Sequence, residues 1–332
     1  MLTRAPIHAS GRAARNAWIG ALVNTYNAPV LAGNPDLDAV YAYDKAKHQP
    51  TRHRAAVLFD TAKLLFSLRQ PRIDQVILAG PGAQRQAYAL ARSIAPRALI
   101  GFVTPDFAPA GITRPMVYAD GAQLHEAEDV FRLLAPFGAG PAIPPCTVYA
   151  DNAAVAKWRE RIAPQIDAGG PLIAVHISAR RARQRWPAAR FAELMRALHA
   201  QHDARFTLLW STGAADDVRH PGDDAKARDV LAALPAGFPV APCPTEQLPE
   251  LIAVLALADA VICADGGAMH LAAGLGRPVV ALFGDSPSAR WHPWGVAHEI
   301  VQAPAGDVGQ LAVSDVLSAW ERLAPRVLAN QS

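Results

Sequence analysis

Two stretches of this chain set polar and charged side chains where a buried strand gives way to a helix. In the first, the apolar run Ala260-Val261-Ile262-Cys263-Ala264 is followed by Asp265-Gly266-Gly267 and then by Ala268-Met269-His270. The run predicts a buried strand, the Asp-Gly-Gly a turn, and the residues after it a helix carrying His270. Such a turn is suited to an anion, because glycines let backbone N–H groups approach a phosphate and the first helical turn leaves its own N–H groups unpaired. Asp265 can accept hydrogen bonds from ligand hydroxyls. The plainer alternatives are an N-cap for Asp265 and a packed imidazole for His270. In the second stretch, Leu172-Ile173-Ala174-Val175-His176-Ile177 runs into Ser178 and a loop holding Arg180, Arg181, Arg183, Gln184 and Arg185, before Trp186-Pro187 opens a helix. Hydroxyl, amide and guanidinium donors at the C-terminal end of a strand suit a diphosphate. A solvated basic loop is the alternative.

These stretches need a scaffold that ends strands beside helix starts, and the wider pattern predicts one. Short apolar runs alternate with amphipathic stretches, as in βα units around a parallel sheet. Strands are expected at residues 19–23, 39–43, 75–78 and 99–103, with helices over 52–69, 83–94 and about 124–134; residues 104–123, rich in Pro and Gly, read as a loop. After Gly138–Pro145, which cannot hold regular structure, the alternation restarts with strands at 172–176, 206–210, 260–263, 279–283 and 299–301. The helices between them begin near Ala188, Asp223, Glu246, Ala268 and Leu311. Residues 2–15 read as a helix broken by Pro6 and Gly11, so that no strand opens the first sheet. With 332 residues and 51% hydrophobic side chains, the chain can bury two cores, and disorder is excluded. The longest apolar run is too short to span a bilayer. Three scattered cysteines exclude a disulfide framework, fit a reducing compartment, and read as small buried hydrophobes. A net charge of +3 is too weak to imply nucleic acid. Its distribution is uneven: residues 1–160 hold 17 Lys and Arg against 12 Asp and Glu, residues 161–332 hold 15 against 17, which is compatible with an anionic ligand or membrane surface on the first half.

The segments HISARRARQRWPAARFAEL (176–194) and ADAVICADGGAMHLAAGLGRPVVALFGDSPSARWHPWG (258–295) together resemble the glycosyltransferase family 9 heptosyltransferases. Those enzymes show His-x-x-Ala ahead of Lys-x-Trp-Pro, then Asp-Thr/Ser-Gly-x-x-His-x-Ala-Ala and Pro-Val-Val-x-Leu-Phe-Gly. Gly33-Asn34-Pro35, Val40-Tyr41, Ile100-Gly101-Phe102 and His125-Glu126 extend the resemblance over nearly the whole chain.

The resemblance implies an α/β, GT-B fold of two Rossmann-like doubly wound domains facing a cleft. Residues 1–150 would form the acceptor-side domain, lacking its first strand, and 151–310 the nucleotide-sugar-binding domain. Residues 311–332 would form a helix packing back on the first domain. The implied reaction is an inverting glycosyl transfer without metal or bound cofactor, from a nucleotide sugar such as ADP-heptose to a lipid-linked, lipopolysaccharide-type oligosaccharide. The implied location is cytoplasmic, peripheral on the inner membrane. Donor contacts carry over to Ser178, Arg180, Arg181, Gln184, Arg185, Asp265, Gly266, Gly267 and His270. Gln184 stands where the family has Lys, and Gly266 where it has a hydroxyl residue, so leaving-group charge would come from Arg180, Arg181 or Arg183. The acidic contact to ribose or sugar falls among the aspartates after residue 210, of which Asp216 and Asp224 are the candidates. Met1-Leu2-Thr3-Arg4-Ala5-Pro6 resembles the tail of the family's opening strand-and-Gly-Asp signature, whose loop carries the proposed base, so no catalytic residue is assigned. Two expectations follow: the true start lies upstream of Met1, or the chain is a weakly active relative. A UDP-hexosamine donor and a non-catalytic nucleotide-sugar-binding protein are the alternative readings.

Overall fold

The computed structural model describes residues 2–3, 17–44, 53–70, 72–118, 124–138, 140, 142–166, 169–217 and 221–329. The chain divides into two compact units, Met1–Pro144 and Pro145–Ser332.

The first unit contains β1 (Leu2–Thr3), β2 (Ile19–Asn24), β3 (Ala39–Tyr43), α1 (Arg54–Arg69), β4 (Gln75–Ile77), α2 (Arg85–Ile94), β5 (Ala98–Val103), β6 (Arg114–Val117) and α3 (Glu126–Phe131). Its six-stranded sheet has the order β3-β2-β1-β4-β5-β6. The sequence reading left the middle of this sheet empty and made residues 2–15 a helix. Instead, Leu2–Thr3 lies there as a strand, antiparallel to both neighbours: Leu2 pairs with Gly20 and with Val76. Without it the facing edges of β2 and β4 would leave backbone N–H and C=O groups unpaired, and two residues suffice to bridge them. The remainder of that helix, residues 4–15, lies outside the described residues. The other pairings are parallel. One sheet face carries Leu65 and Leu68 of α1 and Ala91 and Ile94 of α2 over Val76 and Leu99; Ile77, Ile100 and Phe102 meet Leu133 and Phe137 in a second cluster.

The second unit contains α4 (Asn152–Ile166), β7 (Leu172–His176), α5 (Ala188–His202), β8 (Arg205–Ser211), α6 (Asp224–Ala232), β9 (Val240–Thr245), α7 (Leu248–Leu255), β10 (Ala260–Ala264), α8 (Gly267–Gly274), β11 (Val279–Phe283), α9 (Ser288–Trp291), β12 (His298–Gln302) and α10 (Val313–Leu328). Its sheet, all parallel, has the order β12-β11-β10-β7-β8-β9. Strands β7, β10 and β11 are buried along their whole length, which is why they read as continuous apolar runs rather than alternating ones. The order runs outward from β7 to β9 and then restarts at β10 on the other side of β7. This creates a topological switch point between the C-terminal ends of β7 and β10, the place where doubly wound sheets bind ligands.

Besides β1, two strands fall where the sequence predicts none. β6 contains Pro115, and β9 contains Pro242 and Pro244. Both are edge strands, the position in which a residue without a donor N–H is tolerated. α10 buries Val316, Ala319, Trp320, Leu323 and Val327 in the second unit's own core, with Phe191, Phe206 and Val280. Its amphipathic face packs there against α5, β11 and β12.

Candidate functional site

The loop after β7 is pinned from below before any ligand is considered. Trp186 is buried, packs edge-on against Phe191 with ring centroids 4.9 Å apart, and donates its indole N–H to the Leu311 carbonyl at 2.9 Å. Arg185 donates from Nε to the Ala179 carbonyl at 3.0 Å, closing the loop on itself. Ser178 Oγ accepts the Ser211 backbone N–H at 2.9 Å, tying the loop to the end of β8. With that bond accepted, the Ser178 hydroxyl keeps its own proton to donate.

Across the switch point, Asp265 receives a bond from this loop: Gln184 Nε2 donates to Asp265 Oδ2 at 3.2 Å and lies 3.5 Å from Ser286 Oγ, in the loop after β11. Gln184 is buried. The loops after β7, β10 and β11 therefore converge on one side chain, Gln184. Asp265 is not the cap of α8. That position belongs to Gly266, and no side chain caps the helix. The first-turn N–H groups of α8 thus face outward at the C-terminal end of the sheet, where the helix dipole favours an anion. A Cβ placed on Gly266 or Gly267 would meet no atom within 4 Å, so the space over this turn is open.

His270 lies one turn into α8 and is exposed, its ring centroid 6.3 Å from that of Trp291. The surrounding protein pushes its pKa below the ordinary histidine value, and Asp265 opposes the shift. Arg180, Arg181 and Arg183 are exposed, and Arg181 approaches Asp285 at 3.8 Å, a loose surface pair. Of the aspartates after β8, Asp224 spends both carboxylate oxygens inside its own loop, on the Trp210 indole N–H at 2.7 Å and the Gly213 N–H at 3.0 Å. These bonds tie the start of α6 to the end of β8; Asp224 remains exposed, as is Asp216 on the loop between them.

Two charged or titratable groups were missed by the sequence reading. Lys226 on α6 donates from Nζ to the Ile177 carbonyl at 2.7 Å, directly below the β7 loop, with its ammonium 5.0 Å from the Phe191 ring centroid. Burial lowers its pKa to about 8; Arg185 pushes the same way and Asp223 resists. His176, fully enclosed at the end of β7, is lowered to about 4 by burial and by the charge of Lys226. The i, i+3 spacing of Asp223 and Lys226 on a helix start was the one signal available for the lysine. Trp291, His292 and Trp294 are half-buried, with His292 stacked on His298 at 4.9 Å. Cys243 and Cys263 are buried as expected, whereas Cys146 is exposed. Among the described residues, no group of three or more His, Cys, Asp or Glu gathers where it can hold a metal ion, and no helix is long and apolar enough to cross a membrane.

The family model described as glycosyltransferase family 9 (heptosyltransferase) matches residues 61–318. Lipopolysaccharide heptosyltransferase 3 of Escherichia coli is 23% identical over 304 residues, covering 90% of this chain and 84% of that protein. Among solved structures, a family 9 glycosyl transferase from Veillonella parvula superposes with a TM-score of 0.76 at 19% identity, covering 93% of this chain and 88% of that one. The ADP-heptose lipopolysaccharide heptosyltransferase II of E. coli gives 0.70 at 19% identity, covering 95% and 91%.

Proposed function

The chain belongs to glycosyltransferase family 9, and on that premise we propose that it transfers heptose from ADP-heptose to a lipid-anchored, lipopolysaccharide-type acceptor, with inversion and without a metal. The observation that carries this reading is the convergence of Gln184, Asp265 and Ser286 beside the uncapped start of α8. In the reaction the acceptor hydroxyl oxygen forms a bond to the anomeric carbon from the face opposite the nucleotide. The bond from that carbon to the diphosphate oxygen breaks, its electron pair leaves with the nucleoside diphosphate, and the hydroxyl proton passes to a base. No residue of this chain is assigned to the last step.

The chain's own contribution is to stabilise the departing diphosphate and hold the sugar. The Ser178 hydroxyl and the N–H groups of the α8 turn donate to the phosphates, as preorganised donors do where negative charge develops. Arg180, Arg181 and Arg183 supply the positive charge that Gln184 cannot. Asp265, oriented by Gln184, accepts from hydroxyls of the donor, and the exposed Asp216 from the ribose. An acceptor of this kind is made at the cytoplasmic face of the inner membrane, so the protein works there as a peripheral enzyme.

The test is calorimetric titration with ADP and UDP, followed by mass spectrometry of products from ADP-heptose and a lipopolysaccharide-type acceptor. Saturable ADP binding and a heptose mass increment on the acceptor are expected. Tighter binding of UDP than ADP refutes the donor assignment, and ADP binding with no product refutes transfer.

A further inference from the structure

We propose that the exposed face of α1, together with the arginine-lined depression at its C-terminal end, is the surface by which this protein docks on an anionic phospholipid bilayer. The inference rests on the reading of the acceptor as lipid-anchored and names the surface that reading leaves open.

The first observation is an exposed apolar helix face. Val57, Leu65 and Leu68 of α1 point into the core, as an amphipathic helix requires. On the other side Leu58, Phe59 and Phe66 are 66%, 70% and 61% exposed, and the exposed Ala62 joins them at helical spacing. A helix that is apolar all round is normally enclosed, and two outward phenylalanines on one 16-residue helix mark a surface made for contact.

The second observation is charge. Arg54, Lys63 and Arg69 are exposed and flank this face at i, i+3 or i, i+4 spacing from Leu58, Phe59 and Phe66; the helix's one carboxylate, Asp60, lies beyond Lys63, away from the phenylalanines. At the C-terminal end, Arg69, Arg72 and Arg97 surround an open depression of about 450 Å³ floored by Ile73, Ile94 and Ala95. Arg69 is fixed there by donating from Nε to the Ser93 carbonyl at 2.6 Å, and Arg97 lies 3.2 Å from Asp74. The sequence has the same bias: residues 45–105 hold ten Lys and Arg against two Asp.

Apolar side chains beside guanidinium groups match the two layers of a lipid surface. The rings of Phe59 and Phe66 enter the boundary between headgroups and acyl chains, while Lys63 and the three arginines meet headgroup phosphates. The depression lies at the N-terminal ends of β4 and β5, and the face above it runs the length of α1, so docking here leaves the C-terminal ends of the strands clear. An acidic protein partner would be met by charge alone and gives no reason for the rings. A second copy would bring the same positive rim against itself.

The experiment is flotation of the full chain with vesicles of phosphatidylcholine alone or mixed with phosphatidylglycerol, with ADP affinity measured in parallel on every variant. The wild type is expected to float with the anionic vesicles and not the neutral ones. F59S/F66S is expected to lose flotation at every salt concentration, and K63Q/R72Q to weaken it by about fivefold per charge at low salt, both with unchanged ADP affinity. Failure of the wild type to float, equal flotation with both vesicle types, or full flotation of F59S/F66S overturns the proposal. So does a wild-type dimer that F59S/F66S converts to monomer, since the face then belongs to a second copy. Because ADP affinity is read separately, loss of vesicle binding and failure of the donor reading give different results.

Discussion

Gln184 and Asp265, 81 residues apart, meet across the switch point of the second sheet with Nε2 and Oδ2 3.2 Å apart. The contact holds two ligand-facing loops in register through a neutral donor and a carboxylate. A lysine at residue 184 would add charge to the same contact, as the family pattern has it. The amide makes the contact without a charge, and the nearby Arg180, Arg181 and Arg183 are exposed.

The first prediction follows from that exchange. Gln184→Lys should tighten ADP binding by about tenfold, since a charge-assisted hydrogen bond contributes roughly 1–2 kcal/mol more than a neutral one. Gln184→Ala should weaken it, because Asp265 loses its donor and its orientation. Calorimetry with ADP measures both; a lysine variant that binds no better would show that residue 184 lies outside the donor's field.

Ser178 joins two loops and offers one proton. Ser178→Ala leaves the Ser211 N–H without its acceptor and removes a phosphate donor, so two readouts should move together. Stability should fall by about 1 kcal/mol and ADP affinity by roughly five- to tenfold. Chemical denaturation and calorimetry on one preparation separate the effects, and a loss of stability with unaltered affinity would confine Ser178 to a structural role.

The turn at residues 266–267 is open, whereas the backbone at Gly222 and Gly274 is tightly packed. A Cβ at Gly222 would come within 2.2 Å of the Gly213 backbone and one at Gly274 within 2.5 Å of Val148 Cγ2. Gly266→Ser should therefore fold with stability within about 0.5 kcal/mol of wild type, while Gly222→Ala should lose about 2 kcal/mol or more. Gly266→Leu should also fold, yet block ADP by filling the space over the turn. If it binds ADP as well as wild type does, the diphosphate does not sit there.

The site was legible where backbone pattern decides it and illegible where tertiary partners do. The apolar runs of β7 and β10 and the Asp265-Gly266-Gly267 turn declare a strand, a turn and a helix start in the sequence itself. Nothing local reveals that Asp224 accepts from the Trp210 indole, 14 residues earlier. The edge strands were hidden by Pro115, Pro242 and Pro244, which a central strand would not tolerate and an edge accepts. Leu2–Thr3 was hidden by length: two residues carry no periodicity, and only the gap between β2 and β4 gives them a conformation. The destination of α10 was equally beyond reach, since an amphipathic face shows that a helix packs but not on which core.

Lys226 and His176 make the last prediction, which concerns pH. Both have lowered pKa values in the folded protein, so the unfolded chain binds the proton first. For His176 the window runs from 6.5 down to about 4, and for Lys226 from 10.5 down to about 8. Within each window the unfolded state holds more protons, so stability rises with pH and is lost as pH falls. Lys226→Met removes the alkaline window. Relative to that variant, the wild type should gain stability as pH is raised from 8 to 10.5, as measured by urea denaturation. The substitution also removes the positive charge that helps depress His176, so the imidazole should titrate at higher pH and the acid window should end at a higher pH, with less stability lost across it. NMR titration of the His176 ring protons reads this directly. An unchanged His176 titration in Lys226→Met would mean that burial alone holds the imidazole neutral, and that the lysine beneath the β7 loop acts through its bond to the Ile177 carbonyl rather than through its charge.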